Sequence, residues 1–125
     1  MFQQLANLHK LCFPNKPWDA EEFASLQRGG AEIIASDNGF VVWRCAADEC
    51  EIITIGVHPA HRGAGVADAL LQLMEKEISV KKIFLEVAAN NATARKLYER
   101  NGYRQISIRP RYYDGIDAVV MGKGI

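Results

Sequence analysis

Two stretches near the start of the chain repeat apolar residues at the three- and four-residue spacing of an amphipathic helix. The first spans residues 2–13 and ends before Pro14, because proline cannot continue a helix. Asp19 is placed to cap the second, which carries Phe23 on its inner side and ends at Gly29-Gly30. The pattern therefore predicts two helices ahead of any strand.

Three short runs rich in β-branched and aromatic residues follow, over residues 31–36, 40–46 and 51–57. The Asn38-Gly39 step between the first two favours the positive φ angles of a tight hairpin. A polar turn at Asp48-Glu49 separates the second run from the third. The three runs are predicted to form an antiparallel meander.

The second half of the chain alternates the two kinds of pattern. Helical periodicity spans residues 65–78 and 92–100, while short apolar runs at 82–87, 103–109 and 118–121 predict strands. No internal repeat, low-complexity tract or flexible linker divides the chain. The order of elements predicts a mixed α+β fold.

Charge and composition narrow the class of protein. The 125 residues carry 15 Lys and Arg against 15 Asp and Glu, so no basic excess is present to bind the phosphates of a nucleic acid or an acidic membrane. No apolar run approaches the roughly 20 residues that cross a bilayer, and no signal segment follows Met1. We expect one domain over residues 1–125, located in the cytoplasm, with neither nucleic acid nor membrane as a partner.

The cysteines and histidines give no sign of a disulfide framework or a metal site. Cys12, Cys45 and Cys50 are odd in number and lack a close C-x-x-C spacing. Free cysteine is usually buried as a small apolar residue, and we expect all three to be reduced core residues. The three histidines have no ligands at metal-binding spacing, so no metal is predicted.

A glycine-containing loop joins the third predicted strand to the long helix. The first N–H groups of a helix lack internal partners and lie at the electropositive end of its dipole, so this loop is suited to bind phosphate. Gly63 and Gly65 allow a pyrophosphate to approach the backbone, and Arg62 adds a charged donor. An ordinary turn is the alternative. A P-loop sequence is absent, and Asp68 replaces the third glycine of a dinucleotide-binding fold.

The loop sequence Arg62-Gly63-Ala64-Gly65-Val66-Ala67 resembles the R/Q-x-x-G-x-G/A signature with which GNAT N-acetyltransferases hold the pyrophosphate of acetyl-CoA. Residues 84–87, 91–92, 97–103 and 109–113 are similar, in order and spacing, to the bacterial ribosomal-protein-alanine N-acetyltransferases. The resemblance covers most of residues 51–122. It implies the GNAT fold, a mixed and largely antiparallel sheet flanked by helices, here without its usual first strand.

The same resemblance implies how acetyl-CoA is held. The backbone of residues 55–57 would pair with the pantetheine arm like an added strand, and the Val57 N–H would polarise the thioester oxygen. Gly56 is expected to mark a β-bulge. Asn91 matches a pantetheine-binding asparagine and is equally suited to cap the following helix. The predicted cofactor-binding residues are Ile55, Gly56, Val57, Arg62, Gly63, Ala64, Gly65, Val66, Ala67, Asp68 and Asn91.

Two residues are predicted to be catalytic. An α-amine has a pKa of about 8 and must lose a proton before it attacks a thioester. The resemblance implies that Glu86, in an otherwise apolar strand, is the general base and that Tyr98, on the next helix, is the general acid for the leaving thiolate. The alternatives are a solvent-facing or arginine-paired Glu86, and a Tyr98 that only packs. Tyr103 is expected to pack in the core.

The acceptor is predicted from a group of aromatic and basic residues. Trp18, Arg109, Arg111, Tyr112 and Tyr113 are candidates for the walls of a peptide groove, because such side chains give large, directional contacts. The resemblance implies an N-terminal amine as acceptor, on a protein that begins with a small residue, such as a ribosomal protein starting with alanine. A small amine, an amino acid or a protein lysine is an alternative acceptor, and a non-catalytic CoA-binding module is an alternative class.

The chain is shorter than a usual member of this family and begins at the first helix. Three explanations for the missing first strand are open. Residues 31–36 form the edge of a trimmed sheet, or the true start lies upstream, or a second subunit covers the edge, as in a homodimer.

Overall fold

The two helices that precede the sheet begin and end close to their predicted positions. In the computed structural model, which describes residues 2–79 and 82–124, helix α1 spans Phe2–Cys12 and helix α2 spans Ala20–Arg28. The Asp19 side chain accepts a hydrogen bond from the Glu22 N–H at 2.8 Å, and the Glu22 side chain accepts one from the Asp19 N–H at 3.2 Å. This reciprocal capping box confirms the predicted start of α2.

A mixed sheet lies at the centre of the described chain. Its strands are β1 (Glu32–Ala35), β2 (Gly39–Ala46), β3 (Glu49–Val57), β4 (Lys82–Ala88), β5 (Arg104–Tyr113) and β6 (Ile116–Gly124), and the helices after β3 are a 3₁₀ turn (Pro59–His61), α3 (Val66–Glu77) and α4 (Ala92–Arg100). The strand order is β1-β2-β3-β4-β6-β5, with β1 at one edge. Only β3 and β4 pair in parallel within this sheet. The α+β class and the β1-β2-β3 meander are confirmed.

Helices cover both faces of the sheet, and each face has its own core. On one face, Leu71 of α3 and Leu97 of α4 pack with Leu85 of β4. On the other face, Phe23 of α2 packs with Phe40 of β2. Burial of these apolar side chains is the main stabilising contribution, and it fixes which side of each strand faces which helices.

His9 packs in the core that Phe23 and Phe40 form under α1 and α2. Its ring stacks on Trp18 with 4.7 Å between centroids, and its Nδ1 accepts a hydrogen bond from the Trp18 N–H at 3.0 Å. Burial lowers the pKa of His9, opposed by the nearby Glu22 carboxylate, so the ring is neutral at pH 7. Trp18 also packs edge-on against Phe23, so this predicted groove residue is partly buried against the core under α1 and α2.

The two middle strands separate after a short paired segment. The parallel pairing of β3 with β4 ends at Glu51 and Phe84, and the register of β3 against β2 shifts directly afterwards, where Ile53 has no partner. Such a bulge increases the local twist of a strand, which accounts for the divergence. The bulge predicted at Gly56 is therefore wrong in position: Gly56 pairs regularly with Phe40.

Gly56 is required for packing instead. A Cβ atom at this position would lie 2.6 Å from Phe40 Cζ and 3.1 Å from Cys12 Sγ. We expect Gly56→Ala to lower the free energy of unfolding by about 1–3 kcal/mol, the usual cost of overpacking a core, in urea denaturation. Gly29→Ala is the matched control, since a Cβ there meets only ordinary contacts at 3.5 Å. Equal stabilities of the two variants would contradict this account.

The first hairpin forms, but not through the predicted turn. Asn38 and Gly39 have no positive φ angle, and the turn closes through the Ser36 N–H, which donates to the Gly39 carbonyl at 2.8 Å. Gly39 is constrained by space: a Cβ there would lie 2.9 Å from the Gly56 carbonyl and 3.0 Å from side chains of α3. A dipeptide pattern cannot reveal that kind of tertiary contact.

The cysteine prediction is wrong for the β2-β3 hairpin. Cys45 and Cys50 are directly opposite each other in the antiparallel register and form a disulfide. Cys45 is exposed, whereas Cys50 is fully buried and Cys12 is a half-buried free thiol. The linear spacing hid this pair, because only the turn at residues 47–48 brings the two cysteines face to face.

Candidate functional site

A cleft of about 920 Å³ opens where the start of α3, one side of α4 and the end of β3 meet. Its volume lies within the range of small-molecule sites. It contains most of the predicted cofactor-binding residues. The cleft is lined by Cys12, Phe13, Ile55, Gly56, Val57, His61, Arg62, Gly63, Gly65, Val66, Ala67, Asp68, Asn91, Thr93, Ala94, Leu97 and Arg100.

The start of α3 presents free backbone donors to this cleft. Gly65 is the N-cap in a left-handed conformation, with φ +81°, and supplies no side-chain cap. The first intrahelical hydrogen bond of α3 is from the Ala69 N–H to the Gly65 carbonyl. The N–H groups of Val66 and Ala67 precede it and have no acceptor within the helix. This end thus has the free donors that the predicted anion-binding cradle requires.

Glycine is required at two positions of the cradle. Gly63 has φ +82° and Gly65 has φ +81°, and a Cβ on either would enter open space. L-residues other than Asn and Asp rarely adopt this conformation, so backbone geometry, rather than crowding in the protein, selects glycine. The open space beside both Cα atoms leaves room for a ligand that approaches the backbone.

The end of β3 has one edge free for a further strand. Residues beyond Glu51 are not paired with β4. The His58 N–H donates to the Asn38 carbonyl on the β2 side, and successive N–H groups of a strand point to opposite edges. The Val57 N–H is therefore directed away from β2, toward the cleft, as the prediction of an extended ligand paired with residues 55–57 requires.

Arg62 and Cys12 both bind the Val57 carbonyl. Arg62 Nε donates to this oxygen at 3.1 Å, and the Cys12 thiol donates at 3.3 Å. Burial raises the pKa of the Cys12 thiol, opposed by the neighbouring Arg62 guanidinium. Arg62, predicted as a phosphate ligand, thus uses Nε to fix the end of β3, and its side chain also lines the cleft.

Asp68 connects the start of α3 to the end of α4. Its carboxylate accepts hydrogen bonds from Arg100 Nε at 2.8 Å, Arg100 Nη2 at 3.0 Å and Asn101 Nδ2 at 2.8 Å. These donors lower the pKa of Asp68 to about 2. Asp68 was predicted to bind the cofactor. The structure gives its oxygens protein partners, which anchor the first turn of the cradle helix.

This ion pair predicts an acid dependence of stability. The pKa of Asp68 is lower in the folded chain than its usual 3.8, so the pair stabilises the fold above pH 4 and this stabilisation is lost as the pH falls toward 2. We expect Asp68→Asn to lower Tm by a few degrees at pH 6 and to match the wild type near pH 2. Tm values that differ equally at both pH values would contradict this assignment.

Asn91 has the structural role that the sequence left open. Its Oδ1 accepts a hydrogen bond from the Ala94 N–H at 3.2 Å and caps α4. Asn91 also lines the cleft. Capping and lining are therefore combined at this residue, while its contact with pantetheine stays a prediction.

Glu86 lies on the side of the sheet opposite α3 and α4. Its neighbours Leu85 and Val87 are in the core under those helices, and alternate strand residues face opposite sides. Glu86 Oε1 accepts a hydrogen bond from Arg109 Nη1 at 2.6 Å, across β6. Glu86 Oε2 is buried and has no hydrogen-bond partner among the described residues. The structure therefore shows the arginine-paired alternative for Glu86, and Oε2 remains without a hydrogen-bond donor from the described residues.

Tyr98 is more deeply buried than the sequence suggested. Its side chain packs edge-on against Tyr103, 5.8 Å between centroids, and it does not line the cleft. Burial, together with the nearby Tyr113, raises the pKa of Tyr98, so the phenol is protonated at pH 7. Tyr103 lies in the core and its hydroxyl donates to Glu75 at 3.1 Å, which confirms its packing role.

The aromatic segment of β5 lies beside Glu86. The predicted strand ended at Arg109, but β5 continues to Tyr113. The Tyr112 and Tyr113 rings are 5.0 Å apart, and the residues are 51% and 36% exposed. Arg111 has φ +54°, and its N–H donates to Asp117 at 3.0 Å. The structure brings these three predicted groove residues to one edge, apart from Trp18.

Several cleft residues were absent from the sequence prediction. Thr93, Leu97 and Arg100 recur along one side of α4 at helical spacing, so a helical projection of residues 91–100 could have found them. Cys12 and Phe13 come from the distant end of α1 and carried no such signal. Within residues 2–79 and 82–124, no group of three His, Cys, Asp or Glu side chains is arranged to hold a metal ion.

Comparison with known proteins gives a match over most of the chain. The model of the acetyltransferase (GNAT) family matches residues 2–103. The [ribosomal protein bS18]-alanine N-acetyltransferase of Escherichia coli strain K12 is 34% identical over 119 residues, covering 84% of this chain and 79% of that protein. An uncharacterized protein of Mycobacterium leprae is 44% identical over 75 residues, 58% of this chain but only 21% of its own length.

Solved structures agree with these matches. The crystal structure of the ribosomal-protein-S18-alanine N-acetyltransferase from Escherichia coli superposes with a TM-score of 0.87 at 29% identity, over 99% of this chain and 87% of that one. An aminoglycoside 6′-N-acetyltransferase complexed with coenzyme A has a TM-score of 0.83 at 18% identity, covering 98% and 89% of the two chains. The second likeness concerns the fold alone. In the part described here, no helix has both the length and the apolar character to cross a membrane.

Proposed function

Because the chain belongs to the acetyltransferase (GNAT) family, we propose that it transfers the acetyl group of acetyl-CoA to the N-terminal amine of a protein, with a ribosomal protein that begins with alanine as the acceptor. One observation carries the proposal. The pairing of β3 with β4 ends at Glu51 and Phe84, and beyond this point the cradle helix lies on one face of the sheet while Glu86 faces the other. In this proposal the thioester and the amine meet from opposite faces of the sheet where β3 and β4 are unpaired.

The residues of the cleft fit a CoA thioester. The free N–H groups of Val66 and Ala67 and the space beside Gly65 suit its diphosphate, and Arg62 adds positive charge at the same end. The unpaired edge of residues 55–57 suits an extended arm with amide groups. When bound, acetyl-CoA supplies the activated acetyl group.

In this proposal Glu86 removes the proton from the acceptor amine. An α-amino group is mostly protonated at neutral pH, and it becomes nucleophilic only after it loses that proton. The unpartnered Glu86 Oε2 can accept that proton directly or through a water molecule. In this proposal the N–H bond of the ammonium breaks, and an O–H bond forms on Glu86 or on the water.

Tyr98 is proposed to hold the proton for the departing sulfur. Its phenol keeps the proton at pH 7 because burial raises its pKa. Leu97, its neighbour on α4, lines the cleft. This role belongs to the proposal, together with that of Glu86.

The acceptor class is tested by CoA release with matched peptides. We expect turnover with a peptide that begins with alanine, and none with the same peptide acetylated at its N-terminus or with free lysine. A peptide with a blocked N-terminus and an internal lysine separates the α-amine from the side-chain amine. Turnover only with free amines would replace the proposed acceptor, and acetyl-CoA binding without turnover would replace the proposed activity.

A further inference from the structure

The two oxygens of Glu86 have different surroundings. Oε1 accepts a short hydrogen bond from Arg109 Nη1 at 2.6 Å, whereas Oε2 is buried and has no partner among the described residues. A buried carboxylate oxygen without a donor is costly, so Oε2 marks the place where a donor from outside the chain is expected. An acceptor ammonium group, or a water molecule between it and Glu86, has the required N–H or O–H.

Arg109 is itself held in place from a second side. Its guanidinium carbon lies 4.0 Å from the centre of the Tyr112 ring, a cation–π contact that restricts the rotation of a long side chain. The Arg109 side chain is about half exposed, but the Glu86 side chain that it holds is only 19% exposed. Tyr112 and Glu86 thus fix the guanidinium between them.

We propose that Arg109 is a positioning residue, which holds Glu86 Oε1 so that Oε2 alone receives the proton of the acceptor amine. This inference rests on the proposed function, in which Glu86 is the base. It differs from the role of groove wall that the sequence predicted for Arg109, because a wall would contribute to acceptor binding. A positioning residue acts on the rate after the acceptor is bound.

The test is a double-mutant cycle between positions 86 and 109, with kcat, KM for an alanine-first peptide and Kd for acetyl-CoA as readouts. We expect Arg109→Met to lower kcat by roughly 10- to 100-fold, as small misplacements of a reacting group do, with Kd for acetyl-CoA unchanged. In a Glu86→Gln background the same substitution should change kcat less than about twofold, because residues that act through one another are not additive. Arg109→Lys should restore part of kcat, since an ammonium can donate one hydrogen bond to Oε1.

Arg104→Met is the matched control. Arg104 lies on the same edge strand, is exposed, and pairs through its backbone with Gly122 at the far end of the hairpin. Its variant should keep wild-type kcat, which separates a general effect on β5 from the effect at Glu86. Circular dichroism and Tm of each variant show that the fold is retained.

Four results would overturn the inference. Arg109→Met with unchanged kcat would show that the ion pair does not position the base. Equal losses of kcat in the wild-type and Glu86→Gln backgrounds would show that Arg109 acts independently of Glu86. A change confined to KM would assign Arg109 to acceptor binding. The Glu86→Gln single variant tests the proposed base by itself. A wild-type kcat in that variant would overturn the proposed base, together with the inference that rests on it.

Discussion

Glu86→Gln should lower kcat by roughly 100-fold or more, the usual contribution of a positioned general base. Glutamine has the same shape, and its carbonyl oxygen can still accept the hydrogen bond of Arg109 that Oε1 accepts at 2.6 Å. The amide then places an NH₂ group where Oε2 lies, and that group donates rather than accepts. The variant therefore removes proton acceptance while it keeps the packing of the strand.

The measurement separates chemistry from binding. Kd for acetyl-CoA, measured by calorimetry, should stay within about twofold of the wild type, because Glu86 faces the side of the sheet opposite the cradle helix. Glu32→Gln is the matched control, since Glu32 is an exposed strand carboxylate on β1 at the edge of the sheet. A wild-type kcat in Glu86→Gln would remove this residue from the mechanism.

Local patterns predicted the elements of this fold well. Helix α2 has its cap, its capping box and its glycine stop within one short segment, so its bounds follow from nearest neighbours. The glycine loop after β3 was likewise readable, because the left-handed angles of Gly63 and Gly65 are local demands of the chain. Signals of this kind need no knowledge of distant residues.

Features that depend on how two strands pair were not predicted. The bulge at Ile53 follows from the pairing of β2 with β3, and the need for glycine at Gly56 follows from the Phe40 ring opposite. The Cys45–Cys50 pair depends on the hairpin register. Sequence spacing alone contains none of these contacts.

In the candidate site, too, local features were predicted from the sequence and contacts between strands were not. Glu86 and Tyr98 were selected by resemblance, but that they lie toward opposite faces of the sheet becomes visible only from the two cores. The Glu86–Arg109 pair spans 23 residues and crosses β6. Pairing of Glu86 with an arginine was one of the alternatives in the sequence analysis. The strand order determines which arginine forms this pair.

Gly65→Val should weaken acetyl-CoA binding by roughly 100-fold or more, with a smaller effect on stability. Valine disfavours the φ of +81° that Gly65 adopts as N-cap of α3, and such strain costs about 1–3 kcal/mol where the fold enforces it. A chain that relaxes this angle moves the free N–H groups of Val66 and Ala67 out of the cradle. A chain that keeps it places two methyl groups in the space open to the diphosphate.

Gly30→Val distinguishes binding from strain. Gly30 has φ +99°, open space beside its Cα, and a position between α2 and β1, away from the cleft. We expect both variants to lose similar stability in urea denaturation, and only Gly65→Val to lose affinity for acetyl-CoA in calorimetry. An unchanged Kd in a folded Gly65→Val variant would move the diphosphate away from the start of α3. In the proposed function the thioester reaches the β3-β4 gap from a carrier anchored at that cradle, so the proposed path from acetyl-CoA to Glu86 depends on this result.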